Sequence, residues 1–291
     1  MSRIAYVNGR YVPHAQASVH IEDRGYQFAD GVYEVVYLWN GRLIDADLHL
    51  DRLDRSLREL RITPPLSRAA LQVILAEMVA RNRRRHGLIY LQVTRGVAKR
   101  DHAFPPAGTR PALVITLRAA PQLPASIDSW TARAIALQDA RWARCDIKST
   151  ALLPNVLARQ QARDQGATEA ILIDPDGMVT EGASTTVWIV DSTGTLATRP
   201  LSHAILPGCT RQALITELAQ AGIAFQERAF PVADLREARE IFLTSASSFI
   251  KPVIALDGAP VGQGTPGPVA RLLFDLFTKH VRGHEKEGVL F

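Results

Sequence analysis

The chain has 291 residues, 47% hydrophobic and 22% charged, the balance of an ordinary globular protein with room for one large domain or two modest ones. Two cysteines, Cys145 and Cys209, exclude a disulfide framework, no Cys/His cluster has metal-ligand spacing, and no stretch approaches the roughly 18 apolar residues of a membrane span. The first ten residues hold no apolar leader core, so the expected location is the cytoplasm. The net charge of +5 does not point to nucleic acid, because the densest basic run (81–86) closes a predicted helix with no aromatic platform beside it.

In chain order, Asn8-Gly9 and Asn40-Gly41 each separate strand-like runs, which predicts two hairpins within the first forty-five residues. Leu50, Leu53, Leu57 and Leu60 fall on one helical face, and Ser67 is a plausible N-cap for a second helix through Leu71, Ile74, Leu75 and Met78. Residues 88–94 and 112–117 read as strands around a loop rich in arginine and proline (95–111). Pro121 and Pro124 mark residues 119–129 as the linker between a smaller N-terminal domain (1–118) and a larger C-terminal one (130–291). Beyond it a strand is expected near 131–137, a helix ending at Gly166, strands at 169–173 and 178–180 about the Asp174-Pro-Asp-Gly177 turn, and a strand at 185–190. A helix from Thr210 to about Gly222, a strand at 241–244 and a terminal helix over 268–281 complete the pattern. Intermixed strands, helices and hairpins predict a mixed α/β (α+β) fold in two domains.

One residue in this pattern asks for a chemical reason. The chain contains only five lysines against 29 arginines. Four of the lysines fall in segments that read as loop, or at and beyond the end of the terminal helix. The fifth, Lys148, lies in Arg-Cys-Asp-Ile-Lys-Ser-Thr just before an apolar helical run. A desolvated lysine can lose its proton and act as a nucleophilic amine, which arginine cannot do.

Three segments carry a resemblance: Arg141-Trp-Ala-Arg-Cys-Asp-Ile-Lys-Ser149, Asp23-Arg-Gly-Tyr-Gln-Phe-Ala-Asp-Gly-Val-Tyr-Glu34 and Val179-Thr-Glu-Gly-Ala-Ser184. In order and spacing they resemble the class IV, fold-type-IV aminotransferases that use pyridoxal 5'-phosphate, and within these the D-amino-acid group. The resemblance implies that Lys148 holds the cofactor as an imine and shuttles the substrate proton, and that Glu181 meets the pyridine nitrogen. It also implies that Arg52, Cys209, Thr210, Ser245 and Ala246 bind the cofactor phosphate, although relatives often carry a hydroxyl residue where Ala246 stands. Tyr33, Arg100 and His102 match the clamp for the substrate α-carboxylate. In the family the Arg and His reach in from a neighbouring subunit, so a homodimer with shared sites is implied. Two more departures stand out. Thr186-Val-Trp188 replaces a usual Asn-Val-Phe, and Leu153 stands where branched-chain enzymes place a tyrosine. The activity implied is transfer of an amino group from a D-amino acid such as D-alanine to a 2-oxo acid such as 2-oxoglutarate, with ping-pong kinetics. Branched-chain L-amino-acid aminotransferase, (R)-amine transaminase and aminodeoxychorismate lyase share the fold and are the alternatives, with a non-catalytic cofactor-binding protein as a more distant one.

Overall fold

The computed structural model describes residues 3–120 and 123–283, in two compact units. The first unit holds residues 3–120 together with 147–151, and the second holds 123–146 and 152–283. Pro121 and Gln122, inside the expected linker, lie outside the described residues, and Ile127–Ser129 near its end forms a short 3-10 turn.

The first unit is built on a six-stranded antiparallel sheet. Its strands are β1 (Ile4–Val7), β2 (Arg10–Pro13), β3 (Gly31–Trp39), β4 (Arg42–Leu43), β5 (Gly87–Thr94) and β6 (Ala112–Arg118), in the order β2-β1-β6-β5-β3-β4. Both Asn-Gly pairs turn hairpins as expected, with φ of 45° and 91° at Asn8-Gly9 and 48° and 88° at Asn40-Gly41. Positive φ at both central residues matches the twist of the flanking strands, which is why this dipeptide is legible. A short helix, α1 (Arg24–Phe28), precedes β3, and α2 (Ala46–Glu59) and α3 (Arg68–Asn82) follow β4. Ser67 caps α3 by accepting from the Ala70 amide. Leu50, Leu53 and Leu57 of α2 and Leu71, Leu75 and Met78 of α3 join Val32, Val36, Ile89, Leu91 and Ile115 of the sheet in one core. Each such side chain contributes roughly 1.5–3 kcal/mol on burial. Leu60 falls at the helix C-cap and packs at the margin of that core.

The second unit carries a nine-stranded mixed sheet. Its strands are β7 (Ala132–Gln138), β8 (Glu169–Ile173), β9 (Val179–Gly182), β10 (Thr186–Val190), β11 (Leu196–Thr198), β12 (Gln226–Glu227), β13 (Glu240–Ser245), β14 (Phe249–Leu256) and β15 (Ala259–Pro260). The order is β12-β11-β10-β13-β14-β7-β8-β9, with β15 paired to β14. The strand β7 runs parallel to both its neighbours, β8 and β14. Parallel neighbours need a crossover, and α4 (Leu153–Asp164) lies between β7 and β8 in the chain. The remaining helices are α5 (Cys209–Gln220), α6 (Val232–Glu237) and α7 (Pro268–Gly283).

Trp188 is fully buried in β10, stacked on Phe242 at 5.8 Å, with its indole N–H donating to Thr244 Oγ1 at 3.2 Å. Phe225 also packs on it, tilted, at 5.9 Å. The Thr186-Val-Trp188 departure is therefore a core packing choice with a satisfied polar atom. Trp188→Ala is expected to cost about 3–5 kcal/mol of unfolding free energy. Denaturant unfolding measures this, and a loss below about 1 kcal/mol would contradict the packing described.

Candidate active site

In the first unit Tyr33, Lys148 and Arg52 are gathered about β3. The segment carrying Lys148 adds itself to this strand: the Tyr33 amide donates to the Lys148 carbonyl at 3.0 Å, and the Thr150 amide donates to the Gly31 carbonyl at 3.0 Å. Val32 and Ser149 form a β-bridge, the Lys148 amide donates to Ser56 Oγ at 3.3 Å, and Ile147 sits in the core. The lysine backbone is thus fixed from both sides. Its Nζ lies 4.3 Å from the centroid of the Tyr33 ring, which stacks in turn on Tyr90 at 5.6 Å. Tyr90 donates to Gln92 Oε1 at 2.5 Å, and burial, with a smaller contribution from Tyr33, pushes its phenol up to about 12.

Alternation along β3 turns the next residue, Glu34, to the helix side. Glu34 is fully buried. It accepts from Arg52 Nε and Nη2, both at 2.8 Å, and is hydrogen-bonded to His49 Nδ1 at 2.7 Å. Burial alone would raise the Glu34 carboxyl, but the charge and hydrogen bonds of Arg52, then of His49, outweigh it and hold the group well below the usual carboxylate range. Arg52 is therefore a buried, fork-paired cation and not one more solvated charge of an amphipathic helix. Glu34 belongs to a motif noted in the sequence, but its role as Arg52's partner is missed there, because the 18-residue separation becomes a contact only when α2 packs on β3.

Arg100 and His102 lie in the exposed loop between β5 and β6. Both pack on Phe28 of α1: the Arg100 guanidinium carbon is 5.0 Å and the His102 ring 5.4 Å from the phenyl centroid. Tyr33 packs against Tyr90 and Lys148 instead. The structure brings Lys148 to Tyr33 and Arg100 to His102, and each pair has its own neighbours.

In the second unit Glu181 stands near the end of β9, almost buried. One oxygen accepts from Arg141 Nη1 and the other from the Leu206 amide at 3.1 Å. Arg141 also forks onto Asp139, with Nε to Oδ1 at 2.9 Å and Nη2 to Oδ2 at 2.7 Å, and donates to the Ala204 carbonyl at 3.1 Å. Thr180 donates to the same Asp139 oxygen at 2.7 Å. Burial works against the charge on Asp139, yet the Arg141 hydrogen bonds and charge, with Thr180, keep its carboxyl below the ordinary value. Burial likewise opposes the charge on Arg141, and Asp139 and Glu181 reverse it, so its pKa is raised. The Cys145 thiol is buried, donates to the Trp142 carbonyl at 3.1 Å, and is pushed up to about 11 by burial, so it is not a reactive thiolate at neutral pH. The Asp139–Arg141 fork is a feature the sequence does not reveal, although Arg141 opens the Lys148 motif.

Cys209 and Thr210 are the first two residues of α5, both buried, after Gly208 at the N-cap position with no side-chain cap. A Cβ at Gly208 would lie 2.9 Å from Thr186 Oγ1, so a larger residue here would have to displace that hydroxyl. Ser245 ends β13. Its hydroxyl is hydrogen-bonded to Ser248 Oγ at 2.7 Å and accepts from the Ser248 amide at 3.2 Å, shaping a turn that also contains Ala246. Among the described residues, no group of His, Cys, Asp and Glu is placed to hold a metal ion.

Comparison with known proteins gives the class. The model of the amino-transferase class IV family matches residues 31–256, and the chain belongs to this family. More particularly, it is 42% identical to the D-alanine aminotransferase of Bacillus licheniformis over 265 residues, 91% of this chain and 92% of that protein. It is 37% identical over 279 residues to the D-alanine aminotransferase of Staphylococcus aureus (strain MSSA476), 96% of this chain and 98% of that one. Among solved structures, the branched-chain amino acid aminotransferase of Escherichia coli superposes with a TM-score of 0.87 at 24% identity, covering 99% of this chain and 98% of that one. That of the archaeon Thermoproteus uzoniensis, with norvaline, gives 0.86 at 25% identity, covering 99% and 97%. The Escherichia coli likeness establishes the fold.

The geometry predicts how Glu34 responds to substitution and to pH. Glu34→Ala leaves Arg52 buried without its partner and is expected to cost about 3–5 kcal/mol. Because the folded carboxyl is depressed, its stabilisation is complete above the ordinary carboxylate pKa and is lost as pH falls through the folded value. Denaturant midpoints measured from pH 7 downward should fall less steeply for Glu34→Gln than for the parent. Parallel curves would refute the assignment.

Proposed function

We propose that the chain is a D-amino-acid transaminase that uses pyridoxal 5'-phosphate to move an amino group from D-alanine, or a related D-amino acid, to a 2-oxo acid such as 2-oxoglutarate. The observation that carries this reading is near-full-length identity of 36–42% to several D-alanine aminotransferases. The branched-chain aminotransferases are the alternative, and their likeness at 24–25% identity rests on the shared fold.

The residues present fit this cofactor. Its phosphate needs a cation and backbone donors, and the chain offers the buried Arg52 guanidinium and the start of α5, which no side chain caps. Glu34 accepts from Arg52 Nε and Nη2 and fixes the orientation of the guanidinium. Cys209, Thr210, Ser245 and Ala246 are the remaining phosphate contacts of this reading, Ala246 through its backbone amide. The cofactor's ring nitrogen needs a carboxylate, and in this reading Glu181, held by Arg141 and the Leu206 amide, supplies it. When bound, pyridoxal phosphate supplies an aldehyde that takes up the amino group and a protonated ring that withdraws electrons from the Cα–H bond.

The protein's own groups do the rest. Lys148 Nζ would hold the cofactor and would carry the proton that leaves the substrate Cα. The pinned backbone fixes the root of that side chain, and the Tyr33 ring beside Nζ limits where the amine can swing. Arg100, His102 and Tyr33 grip the substrate α-carboxylate in this reading, with Arg100 offering a planar fork. The reading includes a homodimer whose subunits share sites. Exposed Ile21, Tyr26 and Phe104 in and around the elements that carry the clamp are apolar surface a second copy would cover. It also keeps the smaller N-terminal and larger cofactor-binding domains. A cytoplasmic location is part of the reading; among the described residues no helix is long and apolar enough to cross a membrane.

Two experiments test it. Purified, cofactor-loaded protein with 2-oxoglutarate should form pyruvate from D-alanine and show no turnover of L-leucine, whereas turnover of L-leucine alone would overturn the substrate assignment. Lys148→Ala should lower turnover by about a thousandfold or more, and unchanged turnover would refute the lysine's role.

A further inference from the structure

The loop that bears Arg100 and His102 is exposed, yet it is anchored from beneath. Arg24, in α1, is 3% exposed and spends its guanidinium on two partners. Nη1 donates at 2.6 Å to the carbonyl of Asp101, the residue between Arg100 and His102, and Nε donates at 2.8 Å to Asp30 Oδ2. Asp30 is also forked by Arg95, through Nε at 2.8 Å and Nη2 at 3.0 Å. Arg95 is tied in turn to the Leu60 and Arg61 carbonyls at 2.8 and 3.0 Å. The chain of contacts therefore runs from the end of α2, through Arg95, Asp30 and Arg24, to the peptide between the two clamp residues.

The apolar half of the anchor is Phe28. Its ring lies 4.8 Å from the Arg24 guanidinium carbon, 5.0 Å from that of Arg100 and 5.4 Å from the His102 ring, so one phenyl group is shared by the anchor and by both clamp side chains. The helix that presents Arg24 and Phe28 is itself fixed. Asp23 caps it at the Gly25 amide (2.8 Å) and accepts from Thr94 Oγ1 (3.0 Å), and the Arg24 amide donates to the Gly96 carbonyl at 2.9 Å. A Cβ at Gly25 would lie 2.2 Å from Thr94 Cγ2, so the helix seats directly on the end of β5. A buried arginine that donates to a loop carbonyl carries a large desolvation cost, and here both its guanidinium edge and its face are occupied.

We infer that Arg24 and Phe28 are positioning residues that set the substrate-carboxylate clamp: Arg24 fixes the peptide between Arg100 and His102, and Phe28 sets the directions of their side chains. This rests on the reading of Arg100 and His102 as that clamp. Neither Arg24 nor Phe28 needs to touch substrate. Their effect falls on carboxylate binding and not on the proton transfer at Lys148.

Steady-state kinetics of the cofactor-loaded protein separate these claims. Arg24→Gln should raise KM for both D-alanine and 2-oxoglutarate about tenfold or more, with kcat falling by less than KM rises. Arg100→Gln should raise the same two constants, and in the Arg24→Gln/Arg100→Gln double variant the effects should not multiply, since a displaced clamp that has lost its arginine has little left to lose. Phe28→Leu should raise KM, and Phe28→Tyr, which keeps the ring, should fall between it and the parent, so this pair carries the test if Arg24→Gln does not fold. Unchanged KM in Arg24→Gln and in Phe28→Leu, or effects that multiply in the double variant, would overturn the inference. Unchanged KM in Arg100→Gln would instead remove the clamp reading on which it stands.

Discussion

The addition of residues 147–151 to the edge of β3 is the constraint on which the rest of the site depends. A lysine side chain has four flexible methylene links, and its amine is only as well placed as the backbone beneath it. Here that backbone is held by the Tyr33 and Thr150 amide hydrogen bonds, by Ser56 Oγ, and by Ile147 buried among the leucines of α2 and α3. The segment is remote in sequence from every other part of the first unit, yet it packs as part of that unit. The same strand then sorts two environments by its alternation. Tyr33 meets the Lys148 amine on one side, while Glu34 meets Arg52 and His49 on the other, so the nucleophile and the buried cation are placed by adjacent residues.

The second unit solves a different problem, which is to keep a carboxylate almost out of water. Two carboxylates, Asp139 and Glu181, share one arginine, and an ion pair at such burial is only worthwhile if its hydrogen bonds are complete. The fork onto Asp139, the Thr180 hydroxyl and the Leu206 amide supply that completion. A lysine at position 141 could not do this, because it lacks the planar fork that meets Asp139 with two nitrogens while reaching Glu181 with a third. Charge in this unit is thus arranged around Arg141, as it is around Arg52 in the first; Asp139 orients Arg141 toward Glu181, and Glu34 orients Arg52.

The parts of the fold written in local chemistry were legible from sequence, and the parts written in tertiary contact were not. Asn8-Gly9, Asn40-Gly41 and Asp174-Pro-Asp-Gly177 announce their turns, and Ser67 announces α3, because each signal is complete within four residues. The long strand β14 gives no such signal: Pro252 interrupts its apolar run, and only the pairing with β13 and β7 shows that the strand continues through it. The short β11 and β12 pair with each other across about thirty residues and offer no periodicity to read. The site divides in the same way. Lys148, Glu181 and Arg52 stand in recognisable motifs. Their partners Glu34, Arg141 and Asp139 become partners only when a helix packs on a sheet or a loop folds back. Arg100 and His102 are readable as a pair two residues apart, whereas Arg24 and Phe28, more than seventy residues earlier, are brought beneath them only by the seating of α1 on β5.

The chemistry turns on which lysine bears the cofactor, and five lysines make that question answerable in one experiment. The cofactor-loaded protein would be reduced with borohydride, which converts a lysine–cofactor imine into a stable amine, and then digested and mapped by peptide mass. The account predicts the phosphopyridoxyl mass on the peptide containing Lys148 and on no other. Its appearance on Lys251, the half-buried lysine that packs on Trp130, or on no lysine at all, would contradict it.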